Sequence, residues 1–141
     1  MPSIIANPAD GARLRVVGDV VRVLATGAQT GGAYEIFELE GPQGSGPPPH
    51  AHPWAEAYVV TEGEADVFIE GTKLHAAPGC FFHIPAGTTH GYRIRSKSAK
   101  FIVVTNPAGA CDFFAEIDAE TAGSCEDMAK IVSVALRHGV S

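Results

Sequence analysis

Short apolar runs separated by turn-forming residues are the feature that most limits how this chain can fold. Between residues 13 and 105 such runs recur at close spacing, and Gly, Pro, Asn or Asp stands between them. The runs are RLRVV, DVVRVLA, AYEIFELE, EAYVV, ADVFIE, FFHIP, GYRIR and KFIVVT. Many short strands at close spacing are typical of antiparallel sandwiches and barrels. The sequence therefore predicts an all-β fold of antiparallel strands.

One hairpin can be placed from the sequence alone. In VVTEGEADV, Gly63 can adopt the positive φ that a tight turn needs. After it, Ala65, Val67 and Ile69 occupy every second position, which is the period of a strand buried on one face.

Two other runs, AYVV at 57–60 and FIVV at 101–104, are apolar at successive positions and so on both faces. A second sheet, a helix or another subunit must cover the outer face of such strands. Because one short helix is too small to cover them all, we expect a homodimer.

The C-terminal segment SCEDMAKIVSVALRHGV predicts an α-helix at about 125–138. Ser124 and Asp127 stand three residues apart as a capping pair, and Gly139 suits the position just after the helix. We expect its apolar stripe to pack on the outside of the barrel. The stripe consists of Met128, Ile131, Val132 and Ala135.

Length and charge limit the domain count and the partners. With 141 residues, the chain has room for one compact domain, 1–141. A net charge of −6 and no Lys/Arg cluster disfavour nucleic acid and anionic membranes as partners, which leaves small molecules or proteins. No apolar run approaches the ~18 residues of a membrane span, and the N-terminus lacks a secretory pattern. We expect a cytoplasmic protein.

The three cysteines, Cys80, Cys111 and Cys125, are odd in number, widely spaced and without a CxxC pair. This pattern predicts neither a disulfide framework nor a thiolate zinc site.

The stretch GPPPHAHPWAEAYVVTEG, residues 46–63, carries the most informative polar residues. His50 and His52 project from the same face of an extended segment. Pro53 interrupts strand pairing, so Glu56 starts the next strand. A fourth candidate, His90, follows the turn PAGT. Three imidazoles and one carboxylate could therefore meet inside the barrel.

These residues resemble the two motifs of the cupin superfamily. The first motif, G-x5-H-x-H-x3,4-E-x6-G, is similar to residues 44–63, and the second, G-x5-P-x-G-x2-H-x3-N, is similar to residues 79–94. The matching residues are Gly44, His50, His52, Glu56 and Gly63, followed by Gly79, Pro85, Gly87 and His90. Ile94 departs from the pattern, where the family has Asn. The resemblance implies a cupin jelly-roll barrel and a metal bound by His50, His52, Glu56 and His90.

Imidazole and carboxylate ligands without thiolate suit Fe, Mn, Ni, Co, Cu or Zn, and we expect one such ion per chain. Four protein ligands would leave two positions of an octahedral ion open for substrate and dioxygen.

Within the superfamily, the chain most resembles small single-domain proteins similar to quercetin 2,3-dioxygenase. That resemblance implies an oxygen-dependent cleavage of a hydroxylated aromatic or enol-bearing compound, with Glu56 as the catalytic base. Two alternatives stay open: a metal-dependent isomerase or epimerase of a sugar or keto-enol compound, and a non-catalytic small-molecule-binding protein.

Three aromatic residues are candidates for substrate binding. Tyr58 and Tyr92 share strand parity with Glu56 and His90, and an ordinary core position is the alternative for both. Trp54 lies between ligand candidates and either edges the pocket or anchors the turn.

Other polar residues are not expected in the site. His75, His83 and His138 lack a partner pattern, and surface or hydrogen-bonded positions are expected for them. Arg93 and Arg95 could bind a phosphate-bearing substrate of an isomerase, but their parity is opposite to that of His90 and should point them outward.

Overall fold

The computed structural model describes residues 2–141, which form nine strands followed by two helices. The strands are β1 (Arg13–Val16), β2 (Asp19–Ala25), β3 (Glu35–Pro42), β4 (Ala55–Glu62), β5 (Ala65–Ile69), β6 (Thr72–Ala76), β7 (Phe81–Ile84), β8 (His90–Ile94) and β9 (Ser98–Asn106). The helices are α1 (Ala110–Thr121) and α2 (Met128–Arg137).

The strands form two antiparallel sheets. The larger has six strands in the order β1-β2-β3-β9-β4-β7, and the smaller has three in the order β6-β5-β8. Phe37, Val60 and Phe101 of the large sheet and Val67 and Ile94 of the small one belong to a single buried core. The fold is a jelly-roll barrel in which one face of each sheet lines the interior.

Each of the eight apolar runs of the sequence overlaps a strand, and the predicted hairpin is confirmed. Gly63 has φ 77° between β4 and β5. A Cβ atom at this position would also lie 2.2 Å from the carbonyl oxygen of Ser98. Strand β6 was not predicted, because TKLHA has only two apolar residues and four of its five residues are exposed.

The predicted C-terminal helix is confirmed as α2, whereas α1 was not predicted. Gly109 precedes α1 and has no side chain that could cap it. The cap comes instead from Glu35 on β3, whose Oε1 accepts hydrogen bonds from the backbone N–H groups of Gly109 and Cys111, each at 3.1 Å. Burial raises the pKa of Glu35, but these bonds and one from Gly27 outweigh it and hold that pKa below its ordinary value.

Helix α2 starts later than the sequence indicated. Asp127 is its cap and accepts a hydrogen bond from the backbone N–H of Lys130 at 3.3 Å. Ser124 does not cap the helix, because its hydroxyl accepts from the backbone N–H of Glu126. Gly139 follows the helix with φ 75°. Over residues 2–141, neither helix has the length and apolarity needed to cross a membrane.

The position of α2 differs from the expectation that it would pack on the outside of the barrel. Ile131 and Ala135 line the interior cavity, so the helix covers its rim. The segment after α2 is tied to the barrel by Ser141, which exchanges two backbone hydrogen bonds with Ala51, at 2.9 and 3.0 Å. The apolar stripe of α2 is therefore explained by the apolar rim of the cavity.

Candidate metal centre

A pair of backbone hydrogen bonds brings the two motifs together. His50 and His90 exchange N–H···O=C bonds, each 2.9 Å long, as an isolated antiparallel bridge. Side chains of such a pair project to the same side, and the two ring centroids lie 4.5 Å apart. His52 follows two residues later, with its ring 4.7 Å from that of His90. One ligand atom from each of the three imidazoles lies within 4.8 Å of the others.

The loops around the histidines fit closely against each other. A Cβ atom at Gly91 would lie 2.9 Å from the carbonyl oxygen of Pro47. The three prolines at 47–49 therefore pack directly against β8. The backbone N–H of Gly87, in the second motif, donates to the carbonyl of His52 at 2.9 Å. Each motif therefore positions histidines of the other.

Backbone carbonyls fix the orientation of all three rings. The Nδ1 atoms of His50, His52 and His90 lie 2.9, 2.8 and 2.8 Å from the carbonyl oxygens of Pro48, Trp54 and Thr88, respectively. Because a carbonyl only accepts, each Nδ1 carries the proton and each Nε2 of the neutral ring keeps its lone pair for the site.

Glu56, near the start of β4, completes the cluster. Its Oε2 lies 3.4 Å from Nε2 of His52, and its Oε1 lies 3.2 Å from Nε2 of His90. Among residues 2–141, the buried Nε2 of His90 has no hydrogen-bond partner of suitable geometry. Lone pairs and a carboxylate that face one another repel unless a cation lies between them. The donor set therefore fits a divalent transition metal.

The protonation of the site agrees with this fit. Burial lowers the pKa of His50 to about 4, so its ring is neutral at pH 7 and free to bind a metal. Burial alone would raise the pKa of Glu56. The hydrogen bonds and charges of His52 and His90 outweigh this effect and lower that pKa to about 2. Burial lowers the pKa of His90, yet the Glu56 carboxylate raises it above its ordinary value. The site thus favours one positive charge, carried by a proton or by a metal ion.

The four residues border a cavity of about 430 Å³ with predominantly apolar walls. Phe37, Phe101 and Val103 of the large sheet line it, together with Phe113 of α1 and Ile131 of α2. This size is in the range of small-molecule sites.

The three aromatic candidates all lie in the cavity wall. Trp54 is buried and stacks on His52, with ring centroids 4.6 Å apart and 13° between the planes. The Tyr92 hydroxyl donates to Oδ2 of Asp19 at 2.6 Å. Burial raises the pKa of Tyr58 and Tyr92, so both stay protonated at neutral pH. Asp19 was not predicted as part of the cavity, because nothing in DVVRVLA indicates its contact with Tyr92.

The residues left out of the site lie outside the cavity. His75 is exposed and 3.6 Å from Glu64, and His83 is exposed on β7. His138 pairs with Glu116 between the two helices. All three cysteines are free thiols.

The basic residues near the second motif are also outside. Arg93 and Arg95 are exposed, as their strand parity predicted, and Arg95 pairs with Asp66 on the small sheet. Over residues 2–141, no Lys or Arg lines the cavity.

The family model for the cupin domain matches residues 37–105, which include all four candidate ligands. The chain carries a cupin domain. Quercetin 2,3-dioxygenase of Bacillus subtilis (strain 168) is 30% identical to it over 111 residues, which are 78% of this chain and 33% of that protein. This cupin chain therefore spans about a third of the length of that relative.

Solved structures show the same cupin fold. An RmlC-like cupin from Shewanella frigidimarina superposes with a TM-score of 0.68 at 18% identity, over 76% of this chain and 93% of that one. The polyketide cyclase RemF from Streptomyces resistomycificus superposes with a TM-score of 0.65 at 23% identity, over 74% and 79%.

Removal of one imidazole tests the candidate metal centre. Elemental analysis of protein purified without added metal should give close to one transition metal ion per chain. His50→Ala should lose most of this metal, because only three of the four candidate ligands remain. His75→Ala is the matched control, since this exposed imidazole lies outside the cavity, and it should keep its metal. Equal metal contents in the parent and His50→Ala would remove His50 from the site.

Proposed function

We propose that this protein is a metal-dependent dioxygenase that acts on hydroxylated aromatic or enol-bearing small molecules. The observation that carries the proposal is the position of His50, His52, His90 and Glu56 in the wall of a largely apolar cavity. The similarity to a quercetin 2,3-dioxygenase supports it.

The cavity favours a flat, largely apolar ligand. Aromatic side chains supply much of its wall, so an aromatic ring would replace water there and gain ring contacts. A phosphate-bearing ligand would meet no cationic side chain among residues 2–141. This lining disfavours the isomerase alternative for sugar phosphates, because phosphate recognition depends on Arg, Lys or a backbone nest.

The four clustered residues would hold the metal through the three Nε2 atoms and the Glu56 carboxylate. When bound, a divalent transition metal would act as a Lewis acid toward an enol or phenol oxygen of the ligand. The backbone carbonyls of Pro48, Trp54 and Thr88 would keep the three rings oriented, so little rearrangement would accompany binding.

Glu56 is the group proposed to move the proton. Its pKa of about 2 makes it a carboxylate at neutral pH, and its oxygens border the same cavity as the ligand. Transfer of the ligand's hydroxyl proton to Glu56 would leave an electron-rich enolate, and dioxygen would supply the oxygen atoms that enter the product.

Oxygen consumption tests the function, and Glu56→Gln tests the base. With quercetin as substrate, the metal-loaded parent should consume oxygen in proportion to substrate lost. Glu56→Gln keeps the shape and one neutral oxygen donor but cannot accept the proton, so turnover should fall by ~10²–10⁴-fold. Anaerobic stopped-flow spectra should show the deprotonated ligand with the parent and not with Glu56→Gln.

Glu62→Gln is the matched control, because Glu62 is on the same strand but exposed, and its turnover should match the parent. If Glu56→Gln binds a full complement of metal and deprotonates the ligand as fast as the parent does, Glu56 is a structural ligand only. Ligand conversion without oxygen uptake would favour the isomerase, and tight binding without conversion would favour the non-catalytic protein.

The homodimer is proposed to form through the outer face of the large sheet. Across this face, Val59 pairs with both Ile102 and Phe81, and Val59 and Phe81 are 37% and 62% exposed. The row of cross-strand pairs continues from Ile102 to Glu38 on β3 and then to Arg22 on β2. Nε of Arg22 lies 3.5 Å from Oε1 of Glu38. A face with an apolar centre and both charge signs can pair with a rotated copy of itself.

Ile102→Asp tests this interface. The charge would be buried between two apolar faces, so the variant should sediment as a monomer at micromolar concentration where the parent sediments as a dimer. Leu74→Asp, an exposed apolar residue on the small sheet, is the control and should remain dimeric. A monomeric parent under these conditions would reject the homodimer.

A further inference from the structure

A second polar cluster lies in the otherwise apolar wall of the cavity. Asp19 and Tyr92 both line the cavity, and the Tyr92 hydroxyl donates to Oδ2 of Asp19 at 2.6 Å. Asp19 is only 6% exposed although it is the first residue of a strand. Nothing in the proposed chemistry at His50, His52, His90 and Glu56 requires this pair.

A strained turn fixes Asp19 in the wall. Val16 pairs with Asp19 across the β1–β2 hairpin, whose two connecting residues, Val17 and Gly18, have φ 46° and 87°. Two positive φ values are typical of a type I′ turn, and a β-branched residue is a costly choice there. Backbone strain of this kind persists where the surrounding structure holds it, and it is concentrated at functional sites.

The cluster is also incompletely satisfied. Oδ1 of Asp19 and Oγ of Ser45 are buried, and neither has a hydrogen-bond partner of suitable geometry among residues 2–141. Both approach Gly41 closely, since a Cβ atom there would lie 2.2 Å from Oδ1 and 2.5 Å from Oγ. Burial raises the pKa of Asp19 above its ordinary value, although the hydroxyl groups of Tyr92 and Ser45 offset part of that rise. A buried carboxyl group of this kind weakens the fold, so its presence needs a reason other than stability.

The pair gives the Tyr92 oxygen a defined role. Because its proton is donated to Asp19, the oxygen has only lone pairs left to offer. Tyr92 follows His90 by two residues on β8, so both side chains project from one face with their Cα atoms about 7 Å apart. A ligand whose enol oxygen lies at the candidate metal centre could therefore place a second polar group at Tyr92.

We propose that Tyr92, positioned by Asp19, selects ligands with a second hydroxyl group remote from the enol, by accepting a hydrogen bond from that hydroxyl. The inference rests on the proposed function for the ligand class, and it adds the pattern of hydroxyl groups that the cavity prefers. Asp19 acts only through Tyr92 and is a positioning residue.

Two flavonols test the selectivity. 3-Hydroxyflavone has only the enol hydroxyl, whereas quercetin carries four more hydroxyl groups on the same skeleton. The chain has one tryptophan, and Trp54 lies in the cavity wall, so quenching of its fluorescence reports binding to the metal-loaded protein without oxygen. The parent should bind quercetin more tightly. Tyr92→Phe should weaken quercetin about 3- to 10-fold, as expected for one hydrogen bond, and leave 3-hydroxyflavone unchanged.

Variants of Asp19 show whether this residue acts by accepting the Tyr92 hydrogen bond or only by filling space in the wall. Asp19→Ala should reduce the preference for quercetin, because the Tyr92 hydroxyl loses its acceptor. Asp19→Asn should restore it, because the amide oxygen still accepts the Tyr92 proton. Tyr34→Phe removes the same atom from an exposed tyrosine and should bind both flavonols as the parent does. If Asp19→Ala does not fold, Tyr92→Phe still decides the outcome.

The outcomes distinguish this inference from the proposed function. Equal weakening of both flavonols by Tyr92→Phe, or no preference in the parent, would overturn the inference. A parent that binds neither flavonol would overturn the ligand class and the inference with it. Selective binding that depends on Tyr92, without oxygen uptake, would support the inference and reject the dioxygenase.

Discussion

The site depends on electrostatic repulsion among four clustered side chains, which one positive charge, on a proton or a metal ion, can relieve. Three imidazoles and a carboxylate converge, with the three nitrogen donors within 4.8 Å of one another and Oε1 of Glu56 3.2 Å from Nε2 of His90. The rings cannot turn away without breaking their Nδ1 hydrogen bonds to backbone carbonyls. The backbone bridge between His50 and His90 holds the two motifs at this distance. The barrel is therefore a frame that holds mutually repelling donors in place.

The cavity next to the four clustered side chains has two kinds of lining, apolar and polar, which contribute differently to ligand binding. Aromatic and aliphatic side chains supply most of the wall, and they bind a flat ligand without specifying its orientation. The orientation of the ligand must come from the few polar groups of the cavity. These are the candidate metal ligands and the Asp19–Tyr92 pair. Helix α2 covers the rim, and the bonds between Ser141 and Ala51 connect it to the segment between His50 and His52.

The sequence predicted the parts of this structure that local pattern determines. Runs of alternating or continuous apolar residues predicted eight strands, and motif spacing picked out four side chains that cluster in the structure, because these signals depend on neighbours in sequence. It missed α1, whose cap Glu35 lies 74 and 76 residues from the groups it binds. It missed Asp19 for the same reason, since Tyr92 is 73 residues away. Long-range polar contacts leave no periodic signal, whereas burial does.

X-ray absorption spectroscopy at the edge of the metal that purifies with the protein tests the central claim most directly. The account predicts a first shell of nitrogen and oxygen only, with outer-shell scattering from three imidazole rings, reduced to two rings in His90→Ala. A first shell that contains sulfur, or a spectrum without imidazole scattering, would contradict the account. Three-ring scattering that persists in His90→Ala would likewise exclude His90 as a ligand.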